Sequence, residues 1–240
     1  MTTTFIDFDS QTATVGQLVA QDIRLAETFK RLGIDFCCGG KQTLVSACRK
    51  AGLPLHEVVS QLRQTAEGRQ TPAHQFADWK PAFLIDYIVN IHHAYLDQNL
   101  PFIDELMQKV VYKHGDRYST LGPLKKAFDA LRSELESHMA KEEQVLFPAI
   151  KNRVVGEGPS ADAGFLGKVV GVMEDEHTAA GLLLAQIHEL TDGYTPPADA
   201  CNSHRLLVAK LAELETDLMQ HIHLENNILF PKVLKPESAA

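Results

Sequence analysis

Apolar positions recur at helical spacing along nearly the whole chain, and no stretch shows the period of two that marks a strand. Thr14 is placed to cap a helix over VGQLVAQDIRLAETFKRLG, and Gly33 is placed to stop it. IDFCCGGK then reads as a turn, with Gly39 and Gly40 exposing backbone. A short amphipathic stretch, KQTLVSACRKAG, ends at Gly52, and Pro54 opens a further helix over LHEVVSQLRQTAEG. Three short helices between Ala13 and Glu67 make a small module with little core of its own. From Gly68 to Pro81 the composition is that of a linker, with Trp79 placed to anchor it.

Beyond Pro81 the pattern lengthens. The first long helix is expected from Pro81 to Gly115, with a kink or break at Pro101. A second is expected from about Gly122-Pro123 to Arg153, with Pro148 marking where it can end. Gly156, Gly158 and Pro159 mark a loop, and a third helix covers Gly164 to Leu190. The Pro-Pro of TDGYTPPAD forbids helix, so the last one runs from about Ala200 to Val233. The fold class is therefore all-α: a small helical module over residues 1–67, a linker over 68–80, and an up-down-up-down four-helix bundle over 81–240.

Composition narrows the functional classes. The 240 residues carry a net charge of −8 and no basic block, which argues against a nucleic-acid partner. No apolar run reaches the ~18 residues of a membrane span. The first residues lack the basic end and apolar core of a secretory signal, so a cytoplasmic protein without a membrane partner is expected. Four cysteines include the adjacent pair Cys37-Cys38 and no CxxC, which points to free thiols in a reducing compartment.

Histidine spacing carries the chemistry. His138-Met-Ala-Lys-Glu142-Glu-Gln-Val-Leu-Phe-Pro148 and His221-Ile-His-Leu-Glu225-Asn-Asn-Ile-Leu-Phe-Pro231 both read HxxxExxxLFP, 83 residues apart. Residues i and i+4 share a helix face, so each His and Glu can reach one metal centre. A single HxxxE is more often a surface pair than a ligand pair. Here the other two helices supply His93 and His177, 84 residues apart, at matching offsets. The chain thus repeats a hairpin with one His on its first helix and HxxxE on its second. Two such hairpins bring four imidazoles and two carboxylates to one level of a bundle, a donor set for iron, manganese or zinc.

The repeat, with single histidines on the intervening helices, resembles the hemerythrin-like di-iron bundle. IDFCCGGKQTL ahead of it resembles the N-terminal module of the iron–sulfur cluster repair family, the repair-of-iron-centres proteins, in that family's order and over nearly the whole chain. The resemblance implies two non-haem iron ions with oxo and carboxylate bridges, held by His93, His138, Glu142, His177, His221 and Glu225. It implies repair of clusters damaged by nitric oxide or oxidants, with damaged iron–sulfur proteins as clients and iron donation as the means. Cytoplasmic capture of nitric oxide, or its reduction to nitrous oxide, is the alternative; only the last would make the protein an enzyme. True hemerythrins are richer in histidine. With only four aligned here, open positions on the metals are expected, and oxygen carriage is not. The oligomeric state stays open, with a homodimer as one outcome.

The remaining residues are weighed against this set. Of the adjacent His92 and His93, one is expected to point inward, and the resemblance favours His93. His223, about 200° around the helix from His221, is expected to face away from the metals. His56, His74, His114, His188 and His204 match no repeat and are expected at the surface or in caps. Glu134 extends the ligand stripe and is an outer-ligand or exposed residue, while Glu143 and Glu176, each beside a ligand, are expected to point elsewhere. Cys37 and Cys38 are expected to be accessible, with a redox or transfer role; Cys48 and Cys201 have no partner in sequence.

Overall fold

The computed structural model describes residues 12–67, 75–155 and 163–234, together with Ile6 and Phe8. Most of the expected linker, with His74, and the loop residues Gly156, Gly158 and Pro159 lie outside the described residues. All regular elements among them are helical, apart from a single antiparallel bridge between Thr14 and Thr43. No helix among them is long and apolar enough to cross a membrane. The chain divides into two compact units, Met1–Leu84 with Met219–Ala240, and Ile85–Leu218.

In the first unit, four short helices are built as the local chemistry dictates: α1 Val15–Gln21, α2 Leu25–Arg31, α3 Leu44–Ala51 and α4 Leu55–Glu67. Thr14 closes a reciprocal capping box with Gln17 at the start of α1. The single helix expected from Val15 to Gly33 is two. Asp22 takes an extended conformation, and its carboxylate accepts from the Arg24 N–H at 3.0 Å and from the Arg24 guanidinium. This local turn competes with continued helix, as short acidic side chains do. Gly33 and Gly52 then end α2 and α3 with positive φ values, the left-handed geometry that glycine supplies without strain. Val15, Leu18, Leu25, Phe29, Leu44 and Leu62 form the buried centre of this module. Trp79 packs against Phe76 and Phe83, and its carbonyl accepts from the Lys232 ammonium at 2.5 Å, so it anchors its segment as expected.

The longer helices are α5 (Pro81–Tyr87, Ile88–His93 and Ala94–His114), α6 (Leu121–Lys141, Glu142–Leu146 and Phe147–Val155), α7 (Ala163–Leu190) and α8 (Asn202–His223, Leu224–Leu229 and Phe230–Leu234). In α5, α6 and α8 the middle segment is a π turn. Pro101 lies inside a continuous helical run, so α5 does not break there. Pro148 and Pro231 do not end their helices either; each is the second residue of a further α segment, near the N-terminal end, where a missing N–H costs least. In the second unit, α6 packs against both α5 and α7. Its interior is apolar, with Ile88, Leu96, Leu100, Ile103 and Met107 of α5 and Phe128 and Leu131 of α6 all buried.

Asn227 of α8 packs closely against Gly16 and Gly40 in the first unit. A Cβ built on Gly40 would stand 2.3 Å from its Oδ1 and 2.7 Å from the Phe36 carbonyl oxygen. Gly40→Ala is therefore expected to destabilise the protein by about 1–3 kcal/mol, the usual cost of overpacking. A thermal melt reads this as a midpoint several degrees below wild type.

Candidate metal centre

Glu142 is the most buried carboxylate of the second unit, with no exposed surface. Its Oε2 lies 3.3 Å from His93 Nε2, and its Oε1 lies 3.4 Å from His138 Nε2. Each oxygen of this one carboxylate thus faces a different imidazole, one from α5 and one from α6. Neither oxygen has a hydrogen-bond partner among the described residues. A buried carboxylate without hydrogen bonds is strongly unfavourable unless a cation neutralises it. His177 on α7 completes the set in this unit. Its Nε2 is 3.0 Å from His138 Nε2, and the donor atoms of His138, Glu142 and His177 lie within 4.8 Å of one another. Two imidazole nitrogens about 2.1 Å from a shared octahedral ion stand roughly 3.0 Å apart, so this contact fits two ligands of one cation.

In the first unit the second half of the repeat shows the same pairing. His221 Nε2 and Glu225 Oε1 are 3.1 Å apart, both residues fully buried. The backbone repeats as well. The Phe147 N–H donates to the Glu142 carbonyl, and the Phe230 N–H donates to the Glu225 carbonyl, each a bond over five residues instead of four. The proline that follows has no N–H, and its ring crowds the carbonyl four residues back. The wider π turn lets the helix pass this point, and π turns are common at functional sites. So LFP does not stop the helix; in both copies a widened turn begins at or beside the candidate glutamate.

Two outer carboxylates, expected to point away, instead orient the ligands. The exposed Glu143 accepts from His93 Nδ1–H at 2.7 Å. Glu176 accepts from His138 Nδ1–H at 2.8 Å and also pairs with the Lys141 ammonium. Burial pushes the Glu176 carboxyl up, but the bonds from Lys141 and His138 outweigh it and hold the group below its ordinary range. Proton placement on Nδ1 leaves Nε2 free for a metal and fixes the ring plane. A helical residue one position from a ligand points about 100° away from it, toward a neighbouring helix. That is how Glu143 and Glu176 serve a histidine on another helix, and acidic residues directly beside HxxxE ligands are the signal the sequence offers for them.

Other assignments also change. His92 and His93 are both buried, because His92 donates from Nδ1 to Asp217 at 2.9 Å. His204 is buried, with burial lowering its pKa. His56 and His188 are exposed, as expected, and so is Glu134. His223 is buried edge-on against Phe36, and burial holds it neutral by lowering its pKa to about 4. Its Nδ1 faces the Asn227 amide nitrogen at 3.1 Å, and the same amide reaches the Phe36 and Cys37 carbonyls at 3.2 Å each. Cys38 is half-buried, but Cys37 is buried, against expectation. The Asp35 carboxylate folds the loop inward by accepting from the Cys37 and Gly39 N–H groups at 3.0 and 2.9 Å. Bonding to Cys38, burial and the charge of Asp35 raise the Cys37 thiol pKa well above its ordinary value.

Glu176→Gln keeps the shape of the outer group and removes its charge. A loss of about 10–100-fold in metal affinity is expected, the usual effect of losing such a partner. Competition with a chelator measures it, and Glu134→Gln, at an exposed position, is expected to match wild type.

Both parts of the chain have relatives among known proteins. Residues 84–233 match the hemerythrin HHE cation-binding domain, and residues 11–66 match a domain of unknown function, DUF542. The chain is 38% identical to the iron–sulfur cluster repair protein YtfE of Yersinia pseudotuberculosis, over 95% of this chain and 100% of the relative. It is also 38% identical to that of Pectobacterium atrosepticum, over 93% of this chain and 97% of the relative. By this similarity, covering both modules in the same order, the chain belongs to the YtfE family of iron–sulfur cluster repair proteins.

Proposed function

We propose that the chain is a di-iron protein of the cytoplasm that rebuilds iron–sulfur clusters damaged by nitric oxide or oxidants, with its own iron as the source. The observation that carries the reading is the Glu142 carboxylate, fully buried, hydrogen-bonded to nothing among the described residues, and facing His93 and His138 with separate oxygens. In this reading the six residues that the sequence repeat picks out, His93, His138, Glu142, His177, His221 and Glu225, would hold two iron ions.

The donor chemistry fits iron. Imidazole and carboxylate together suit a divalent first-row metal, and no thiolate competes in the set. When bound, the iron supplies both the metal that a broken cluster lacks and open positions for a small ligand such as nitric oxide. The residues of the chain do the rest. Glu143 and Glu176 hold the Nδ1 protons of His93 and His138, so both rings are aimed before metal arrives. Lys141 keeps Glu176 charged. Leu146, Phe147, Leu229 and Phe230 are buried beside the ligand turns, and Phe147 stacks on the His93 ring with centroids 5.8 Å apart. This apolar surround limits water around the ligands. Four imidazoles and two carboxylates would hold two ions by few protein bonds, which would suit release. The clients are proteins whose clusters have lost iron.

Reactivation of a nitric-oxide-damaged [4Fe–4S] dehydratase tests the reading. Iron-loaded wild type is expected to restore activity anaerobically, and His138→Ala, confirmed by metal analysis to have lost iron, is expected to restore little. Equal reactivation by the iron-poor variant would remove iron donation from the mechanism. Titration of the reduced protein with nitric oxide then separates capture, seen as stable nitrosyl spectra, from turnover, seen as catalytic release of nitrous oxide.

A further inference from the structure

We propose that Asp35, Cys37 and Cys38 form a second metal site, which takes one divalent cation of borderline softness, such as Fe2+ or Zn2+, and leaves its fourth position open. The donor atoms of the three residues lie within 4.8 Å of one another. Cys37 Sγ is 3.9 Å from Cys38 Sγ and 3.3 Å from Asp35 Oδ1. A tetrahedral ion with metal–sulfur bonds of about 2.3 Å and a metal–oxygen bond of about 2.0 Å requires edges of roughly 3.8 Å between sulfurs and 3.5 Å between sulfur and oxygen. The loop therefore holds two of the three edges within about 0.2 Å of what a bound ion needs. Adjacent cysteines make a poor disulfide, because the ring is too tight, but they can chelate one ion with both sulfurs.

The loop is organised in advance of metal. Asp35 accepts the Cys37 N–H with Oδ1 and the Gly39 N–H with Oδ2. Oδ1 keeps a second lone pair on the side where the Cys37 sulfur lies. From behind, Asn227 clamps the carbonyls of Phe36 and Cys37. Its Oδ1 sits where a Cβ of Gly16 or Gly40 would fall, at 2.2 and 2.3 Å, so the amide has no room to swing. One side stays open: Cys37 is buried, Cys38 half-buried and Asp35 exposed. Structural zinc sites are closed by four protein ligands, whereas three ligands with an open position suit exchange. Binding forms two metal–sulfur bonds and one metal–oxygen bond, and the two thiol protons pass to solvent.

This site stands independently of cluster repair. Its donor set also differs from that of the proposed di-iron centre, which has no sulfur, and the difference makes it separately visible. Anaerobic titration of the iron-loaded full-length protein with Co2+ is the test. One equivalent is expected to give thiolate-to-cobalt charge-transfer bands in the near ultraviolet and tetrahedral bands in the visible. Cys38→Ser is expected to abolish the charge-transfer bands or shift them strongly. Asp35→Asn, which keeps an oxygen for the Cys37 N–H, is expected to weaken cobalt binding at least about tenfold, as loss of a charged ligand should. Cys201→Ser is the control, since Cys201 is exposed beside His114 and offers the other accessible thiol; it is expected to leave the bands unchanged. Wild type without charge-transfer bands overturns the site. So do bands left unchanged by Cys38→Ser, bands lost in Cys201→Ser, or wild-type affinity in Asp35→Asn. Far-ultraviolet circular dichroism and retained iron show that each variant is folded.

Discussion

A carboxylate sealed from water between helices is costly to keep charged, and the cost falls only when positive charge sits against it. Glu142 is in that position, with an imidazole nitrogen in front of each oxygen. The arrangement of the second unit is built around meeting this demand. His93 and His138 come from different helices, so satisfying Glu142 requires α5 and α6 to hold a fixed rotation and register. Their own outer nitrogens then need partners, which Glu143 and Glu176 provide, and Glu176 in turn needs Lys141. The charge alternates outward, from carboxylate to imidazole to carboxylate to ammonium. A polar network of this kind is stable only when it is complete, which gives a cation at its centre a structural as well as a chemical part.

Much of this is legible in the chain. The helices of the bundle follow from apolar spacing, and the six ligand candidates follow from two copies of HxxxExxxLFP and two histidines at matching offsets. Less visible is everything decided by contact between helices. Glu143 and Glu176 neighbour candidate ligands in sequence and so point off their helix face, yet that direction leads to a different helix and its histidine. His92 has no evident use beside His93 until Asp217, 125 residues later, provides its partner. The break at Asp22 is hidden because the apolar rhythm continues across it while the carboxylate turns back on Arg24.

The prolines show a different limit. The general tendency of proline is to break or end a helix, and Pro101, Pro148 and Pro231 do neither here. Tertiary burial on both sides of each is strong enough to carry the helix through. The local conflict is absorbed by widening one turn at the two LFP sites. Cys37 departs from its expected exposure for a related reason. Gly39 and Gly40 make the loop look loose, but Gly40 lacks a side chain so that Asn227 can close on it, and the result is a packed loop.

The widened turns also bear on any attempt to move this centre elsewhere. A π turn is one residue more than the ideal helix needs, so the two halves of each HxxxExxxLFP segment obey different phases. Each residue added to or taken from an α-helix rotates the downstream side chains by about 100°. Copied onto a straight, regular bundle, His and Glu would face the core while Leu and Phe would be carried to another face. The proposed centre would then lose its dry surround even with every candidate ligand in place. A designer borrowing the site must therefore transplant the phase shift together with the donors.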